Sequence, residues 1–331
     1  MVYRAAIIGC GMIGSEFDDD PRVNGIYSHA GAYASCPETS LVAICDSDAN
    51  KVEHCGQRWN VPARYRDSKQ MLAEQRLDIV SICTPDETHY DLICAAIATP
   101  GVRAVLAEKP LSLELDQTRQ VVGLANARGI VLAVNYSRRY APSHIRLKEF
   151  LSSGGIGEIQ TVSGFYTKGL LHNGTHWFDL ARFLVGEVVR VWGVDVRKEN
   201  SLDPTLDAFL DFECGASAYL HGCDKTAFSL FEMDLIGTNG RVRVIESGQT
   251  IEFFTVVDDS RFTGYKSLME KNKISDGLHN ELLYVVEDVV RCLNESGQPR
   301  CSGADGVETL RIALAVRESA QSGRFVTLSY D

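Results

Sequence analysis

Apolar positions in the first 134 residues come in short continuous runs rather than in alternation. Residues 5–8, 41–45, 78–83, 102–107 and 130–134 each read as a strand buried on both faces. Helical patterns lie between them: His29–Ser35, a stretch opened by acid-rich residues and running toward Ala98, and Ser112 to about Arg128. Strand and helix in alternation predict a doubly wound parallel sheet covered by helices. From Asn135 the pattern changes. A helix over Ser143–Ser152 ends at Gly154-Gly155, and strand-like runs follow at 158–166, 188–196, 206–213, 216–222, 228–236, 241–246 and 250–256. That spacing predicts a largely antiparallel sheet. Helices at about 277–295 and 304–320 close the chain, separated by Ser296-Gly297-Gln298-Pro299. The expected organisation is an α/β fold, with a parallel-sheet domain over residues 1–134 and an α+β domain over 135–331. The second domain is built on a large, mostly antiparallel open sheet. Helices on one face of such a sheet leave the other to be covered, a role for a second subunit and hence for a homodimer or homotetramer.

The first apolar run ends in Gly9-x-Gly11-x-x-Gly14. A strand handing over to a helix through glycines at this spacing is the context of dinucleotide binding. Gly9 permits the tight turn, Gly11 lets backbone approach a pyrophosphate, and Gly14 lets the helix pack on the strand. The helix N-terminus adds free amides and the positive end of its dipole. The second strand ends in Asp46, an acceptor for ribose hydroxyls that repels a 2′-phosphate. No Arg or Lys follows before Lys51, so NAD is expected rather than NADP. More chain than usual separates Gly14 from Asp46. The surplus falls at Glu16–Tyr27, an acidic loop read as solvated, with a lid or partner contact as the other reading.

Composition narrows the setting. A chain of 331 residues suits two domains, and a mean hydropathy of −0.08 fits an ordinary globular protein. No apolar run reaches membrane-span length, and a strand begins too early to leave room for a signal peptide. The ten cysteines are scattered without a CxxC, which suggests a reducing, cytoplasmic location. A net charge of −11 speaks against nucleic acid as a partner.

Five pieces in order give the chain a resemblance to the Gfo/Idh/MocA family of NAD(P)-dependent oxidoreductases. They are Ile8–Gly14, Cys83-Thr84-Pro85 with His89, Glu108-Lys109-Pro110, Asn135–Tyr140 and Gly174–Asp179. The resemblance implies an N-terminal Rossmann domain and a C-terminal α/β domain whose sheet often mediates oligomers, with the active site in the cleft between them. It implies hydride transfer at a carbinol carbon, usually of a sugar or cyclitol. Gly9, Gly11, Met12, Ile13, Gly14, Asp46, Thr84, Pro85, His89, Glu108, Lys109 and Asn135 are the expected cofactor-binding residues.

Lys109 and His176 are the expected catalytic pair, with Asp179 and His172 beside them. An ammonium at the carboxyl end of a parallel strand can hold a substrate hydroxyl and steady a developing alkoxide. A surface lysine before a helix-starting proline is an equal reading of the residues alone, and the resemblance decides for chemistry. A histidine is suited to take the alcohol proton. A satisfied core histidine is the commoner case on an apolar helix, and again the family pattern reverses that. Asp179, one helical turn on, orients the imidazole or binds a further hydroxyl. Many family members carry Asp four residues before the catalytic histidine, where this chain has His172. With Lys168, Arg138 or Arg139 nearby, that departure suits an anionic substrate. His172-x-x-x-His176 with Asp179 also has the spacing of metal ligands, but the His-Glu-x-x-His order is absent and no metal is expected. Arg138 and Arg139 read equally well as structural ion pairs, and Trp177 and Phe178 as core. Two other function classes share this scaffold: a non-catalytic NAD-binding regulatory protein, and an NAD-dependent eliminase or glycosidase working by transient oxidation.

Overall fold

The computed structural model describes residues 2–199 and 201–329. They form two compact units. Residues up to Tyr140 join His279–Glu308 in the first, and Ala141–Leu278 join the chain from Thr309 onward in the second. The chain therefore passes between units more than once, where the sequence reading placed a single boundary after residue 134.

In the first unit, six strands are joined by helices: β1 (Tyr3–Ile8), α1 (His29–Ser35), β2 (Thr39–Cys45), α2 (Ala49–Arg58), β3 (Ala63–Tyr65), α3 (Ser68–Glu74), β4 (Ile79–Ile82), α4 (His89–Ala98), β5 (Ala104–Ala107), α5 (Leu115–Arg128) and β6 (Val131–Val134). All pair in parallel in the order β3-β2-β1-β4-β5-β6. Buried runs such as Ile79–Ile82 and Ala104–Ala107 suit a sheet covered on both faces. The register aligns Ile8 with Cys45 and Ile82, Ile82 with Ala107, and Ala107 with Val134. The carboxyl ends of five strands therefore form one row, and the strand order reverses between β1 and β4. Open α/β sheets bind ligands at such a reversal.

The long β1–α1 connection has a specific construction. Ser15 N–H bonds to Gly11 O at 2.8 Å, which starts a helical turn. Then His29 N–H bonds to Ile13 O and Ala30 N–H to Gly14 O, both at 3.0 Å. His29 and Ala30 thus take the bonding places that residues 17 and 18 would hold in an unbroken helix. The residues between are extruded as a loop whose acids act as braces. The Asp18 carboxylate accepts from Tyr27 N–H at 2.8 Å and Ser28 Oγ at 2.6 Å. Asp19 pairs with His54 and Arg58, each at 2.7 Å. Ile26 N–H bonds to the Asn280 side chain at 3.0 Å. A solvated acidic loop was the expectation; these carboxylates are instead engaged with the unit that carries them.

The second unit begins with α6 (Pro142–Ser152) and β7 (Ile159–Tyr166), then α7 (Thr175–Leu184) and strands β8 (Val188–Val194), β9 (Asp207–Phe212), β10 (Ser217–Gly222), β11 (Phe231–Gly237), β12 (Gly240–Ile245), β13 (Thr250–Asp258) and β14 (Lys266–Ile274). Helix α8 (Glu281–Glu295) belongs to the first unit. Helix α9 (Gly303–Ser322) starts there and ends in the second, before β15 (Val326–Thr327). The nine strands run β14-β13-β12-β11-β7-β10-β9-β8-β15, antiparallel except for β7 with β10. Val191, Leu210, Leu220 and Val244 face a core shared with Trp177, Phe178 and Leu310. The other face carries Trp192, Phe209, Tyr219 and Phe325 in mutual ring contact. Helix α8 starts four residues later than the pattern suggested, because Asn280 just before it adopts a left-handed backbone.

Candidate functional site

In the first unit the row of strand ends gathers the expected cofactor residues. Gly9 follows β1 with φ +101°, a left-handed conformation open to glycine, and its N–H bonds to Cys45 O at 2.8 Å. A methyl on Gly14 would overlap the Gly9 carbonyl oxygen, so the first helical turn lies hard against the strand end only because Gly14 is bare. Gly11 faces open space, with Lys51 Nζ the one neighbour, 3.7 Å from where a Cβ would sit. Met12 is exposed, and Ile13 packs on the core. Asp46 follows β2: its carboxylate accepts from Cys10 N–H at 2.7 Å and Asp48 N–H at 2.9 Å. Each carboxylate oxygen has a further lone pair for a ribose hydroxyl. Bare glycines, an open helix start and this acid together fit a dinucleotide.

The loop after β4 holds Thr84 and Pro85, with Thr88 Oγ1 bonded to Thr84 Oγ1 at 2.7 Å. His89 is turned inward and fully buried. Its Nδ1 lies 2.6 Å from Pro110 O and its Nε2 2.7 Å from Thr84 O. It ties the loops after β4 and β5 together. Glu108 and Lys109 follow β5, and Lys109 is only 6% exposed. Glu108 Oε1 lies 3.1 Å from His29 Nε2 and accepts from Asn135 Nδ2 at 2.5 Å. Burial pushes the Glu108 carboxyl up, but the His29 hydrogen bond, the Lys109 charge and the Asn135 amide outweigh it and leave it below its ordinary value. Asn135 Oδ1 is buried and has no hydrogen-bond partner among the described residues, which suits it to an amide donor. Arg139 pairs with Asp305 at 2.9 Å, a structural role. Glu281 opens α8 near Arg138. Burial raises its carboxyl, against that arginine and a Ser137 hydrogen bond.

In the second unit His176 is the second residue of α7, half-buried, and Asp179 lies one turn on. Asp179 is buried and accepts from Thr309 Oγ1 at 3.3 Å. The helix was expected to start near Asn173. A π-helical turn, Leu170–Gly174, precedes it instead. Asp203 fastens that turn, accepting from Leu171 N–H at 2.8 Å and His172 N–H at 2.9 Å. These are amides a helix start leaves without intrahelical acceptors. Gly169, at φ +86°, has no side chain to displace that carboxylate, and Lys168 before it is also left-handed, at φ +71°. His172 and Lys168 are exposed on this segment. Trp177 and Phe178 are core, the indole N–H donating to Glu232 O at 3.1 Å.

The sequence reading did not single out His29, Asp203, Glu281 or a role for Lys51. Only Lys51 carried a signal, its place in the first turn of the helix after Asp46.

Comparison with known proteins bears on both units. Residues 3–136 match the model of the oxidoreductase family's NAD-binding Rossmann fold, and residues 148–328 match that of its C-terminal alpha/beta domain. Inositol 2-dehydrogenase of Rhizobium meliloti is 29% identical, with 99% of this chain and 100% of that protein covered. D-apiose dehydrogenase of Paraburkholderia graminis is 25% identical, covering 98% and 90%. Among solved structures, levoglucosan dehydrogenase in complex with NADH and L-sorbose has the same fold. Its TM-score is 0.84 at 18% identity, over 99% of this chain and 100% of that one.

Proposed function

Since the chain belongs to the Gfo/Idh/MocA family of oxidoreductases and is an NAD-binding enzyme, we propose that it is an NAD-dependent dehydrogenase or reductase acting at a secondary alcohol or ketone of a sugar, cyclitol or sugar derivative. Relatives named inositol and apiose dehydrogenases support that substrate class. The observation that carries the reading is the row of strand ends, which brings Gly9, Asp46, Thr84, Lys109 and Asn135 to one edge of the sheet.

When bound, the nicotinamide supplies the hydride acceptor. Asp46 accepts hydrogen bonds from the adenosine ribose and disfavours a 2′-phosphate. Asn135 Oδ1 would be available to accept from the nicotinamide's carboxamide. Lys109 holds the substrate oxygen and stabilises its developing negative charge, and His176 takes the hydroxyl proton. Reduction reverses these steps. His172 and Lys168 favour an anionic sugar. The first unit serves as the cofactor domain and the second as the domain for substrate and subunit contact. The exposed rings of Trp192, Tyr219 and Phe325 suit a homodimer or homotetramer. No helix among the described residues is long and apolar enough to cross a membrane.

Mixing the protein with NAD and screening uronates, nucleotide sugars, inositols and hexoses for NADH absorbance tests the reading. Turnover on an acidic sugar is expected first. Absence of reduction with every polyol, despite NADH binding, would overturn it.

A further inference from the structure

Glu108 is anchored by a chain of polar groups that the hydride-transfer reading does not use. Tyr33 Oη lies 2.7 Å from Ser81 Oγ, which lies 2.9 Å from His29 Nδ1, and His29 Nε2 lies 3.1 Å from Glu108 Oε1. His29, Ser81 and Tyr33 are all buried.

The protons in this chain have one complete arrangement. An ionised carboxylate only accepts, so the proton of the last link belongs to His29 Nε2. Ser81 has one proton to give. Given to Nδ1, it leaves Ser81 Oγ to accept from Tyr33, and every hydrogen is used. In the reverse order the Tyr33 proton meets no acceptor among the described residues, a costly state for a buried hydroxyl. Donation therefore runs from Tyr33 through Ser81 and His29 to Glu108. Burial pushes the Tyr33 hydroxyl well up and keeps it a donor. The far end of the chain is sealed, so it is an anchor and not a route for protons to solvent.

We infer that His29 is a positioning residue for Lys109: by donating to Glu108 it keeps an ionised, immobile carboxylate beside the lysine ammonium. The inference rests on the proposed role of Lys109 only where turnover is read. The ionisable groups around the Glu108 carboxylate are His29 on α1, Lys109 next in the chain, Cys83 at the end of β4 and Glu281 at the start of α8. Of these, His29 donates to it at 3.1 Å, with Asn135 a neutral second donor at 2.5 Å. Without His29 the buried carboxylate is less favoured as an anion, and Lys109 loses the charge that favours its ammonium.

The test compares His29→Leu with His29→Gln, whose amide N–H can replace the Nε2 donor. Acetylation of Lys109 across pH, read by mass spectrometry on the full-length protein without substrate, reports the lysine directly. The midpoint should fall by about one pH unit in His29→Leu and return most of the way in His29→Gln. NADH affinity, from fluorescence titration, should stay within about twofold in both. On a turned-over sugar, His29→Leu should lower kcat about tenfold with little change in KM for NAD. An unmoved midpoint in His29→Leu, or equal shifts in both variants, would overturn the inference. Should His29→Leu not fold, Ser81→Ala decides: a smaller downward shift supports the inference and an unchanged midpoint refutes it. Failure to find any substrate leaves the acetylation result standing, so the two readings fail separately.

Discussion

Lys109 and His176 are held in opposite ways within their own units. Lys109 follows the end of a central parallel strand. Its neighbour Glu108 is braced by His29 and Asn135, and the loop on its other side is fixed by His89. His176 stands at the start of a helix whose preceding turn is fastened by one carboxylate, Asp203. The first arrangement is redundant and buried in a sheet covered on both faces. The second is tied to a neighbouring loop, with Asp203 on the Leu171 and His172 amides, Thr205 Oγ1 on Gly169 N–H and Pro204 O on Leu170 N–H. Loss of Asn135 leaves the His29 bond on Glu108 in place, while loss of Asp203 frees two amides of the turn at once. On the proposed function, substitutions at the exposed His172 and Lys168 are the ones expected to change substrate preference.

The largest effect should come from Lys109→Ala, which removes the group assigned to the developing alkoxide. Turnover should fall by about 10³-fold or more with NADH affinity nearly intact. His176→Ala should follow at about 10²-fold, recovering in part as pH rises because solvent hydroxide replaces the lost base. Full turnover in either variant removes the pair. Asp203→Ala should then lower kcat about tenfold, while Asn135→Ala, which leaves His29 on Glu108, should cost no more than about threefold. If Asn135→Ala proves the more damaging of the two, the contrast between braced and clamped halves is wrong. The smallest effect concerns pH. The Glu108 carboxyl lies below its ordinary value of 4.5 in the folded protein. Its contribution to stability is therefore complete above that value and is lost as pH falls through the lower folded value. Urea midpoints of wild type and Glu108→Gln should differ at neutral pH and converge in acid.

The parallel sheet was legible in the sequence because its strands are continuous apolar runs, each ending in glycine, acid or polar loop residues. β3 escaped notice because Ala63–Tyr65 is three residues long and none of them is buried. β14 escaped because Lys266–Ile274 is exposed along most of its length, an edge strand without a buried face. The glycine turn and Asp46 could be read from local spacing, while the Glu108-Lys109 pair was singled out by the family resemblance. His29 could not, since its partner Glu108 is 79 residues away and only the fold brings the two together. His89 was visible as a residue, but its orientation depends on the carbonyls of two loops that sequence spacing does not place.

The hydrogen bonds from His29 and Ala30 back to Ile13 and Gly14 have an evolutionary consequence. Because the helix resumes in phase across the gap, the excursion between can lengthen, shrink or change character without rotating anything downstream. The chain thus has a place to vary surface chemistry close to the glycine turn while the helix itself keeps its phase.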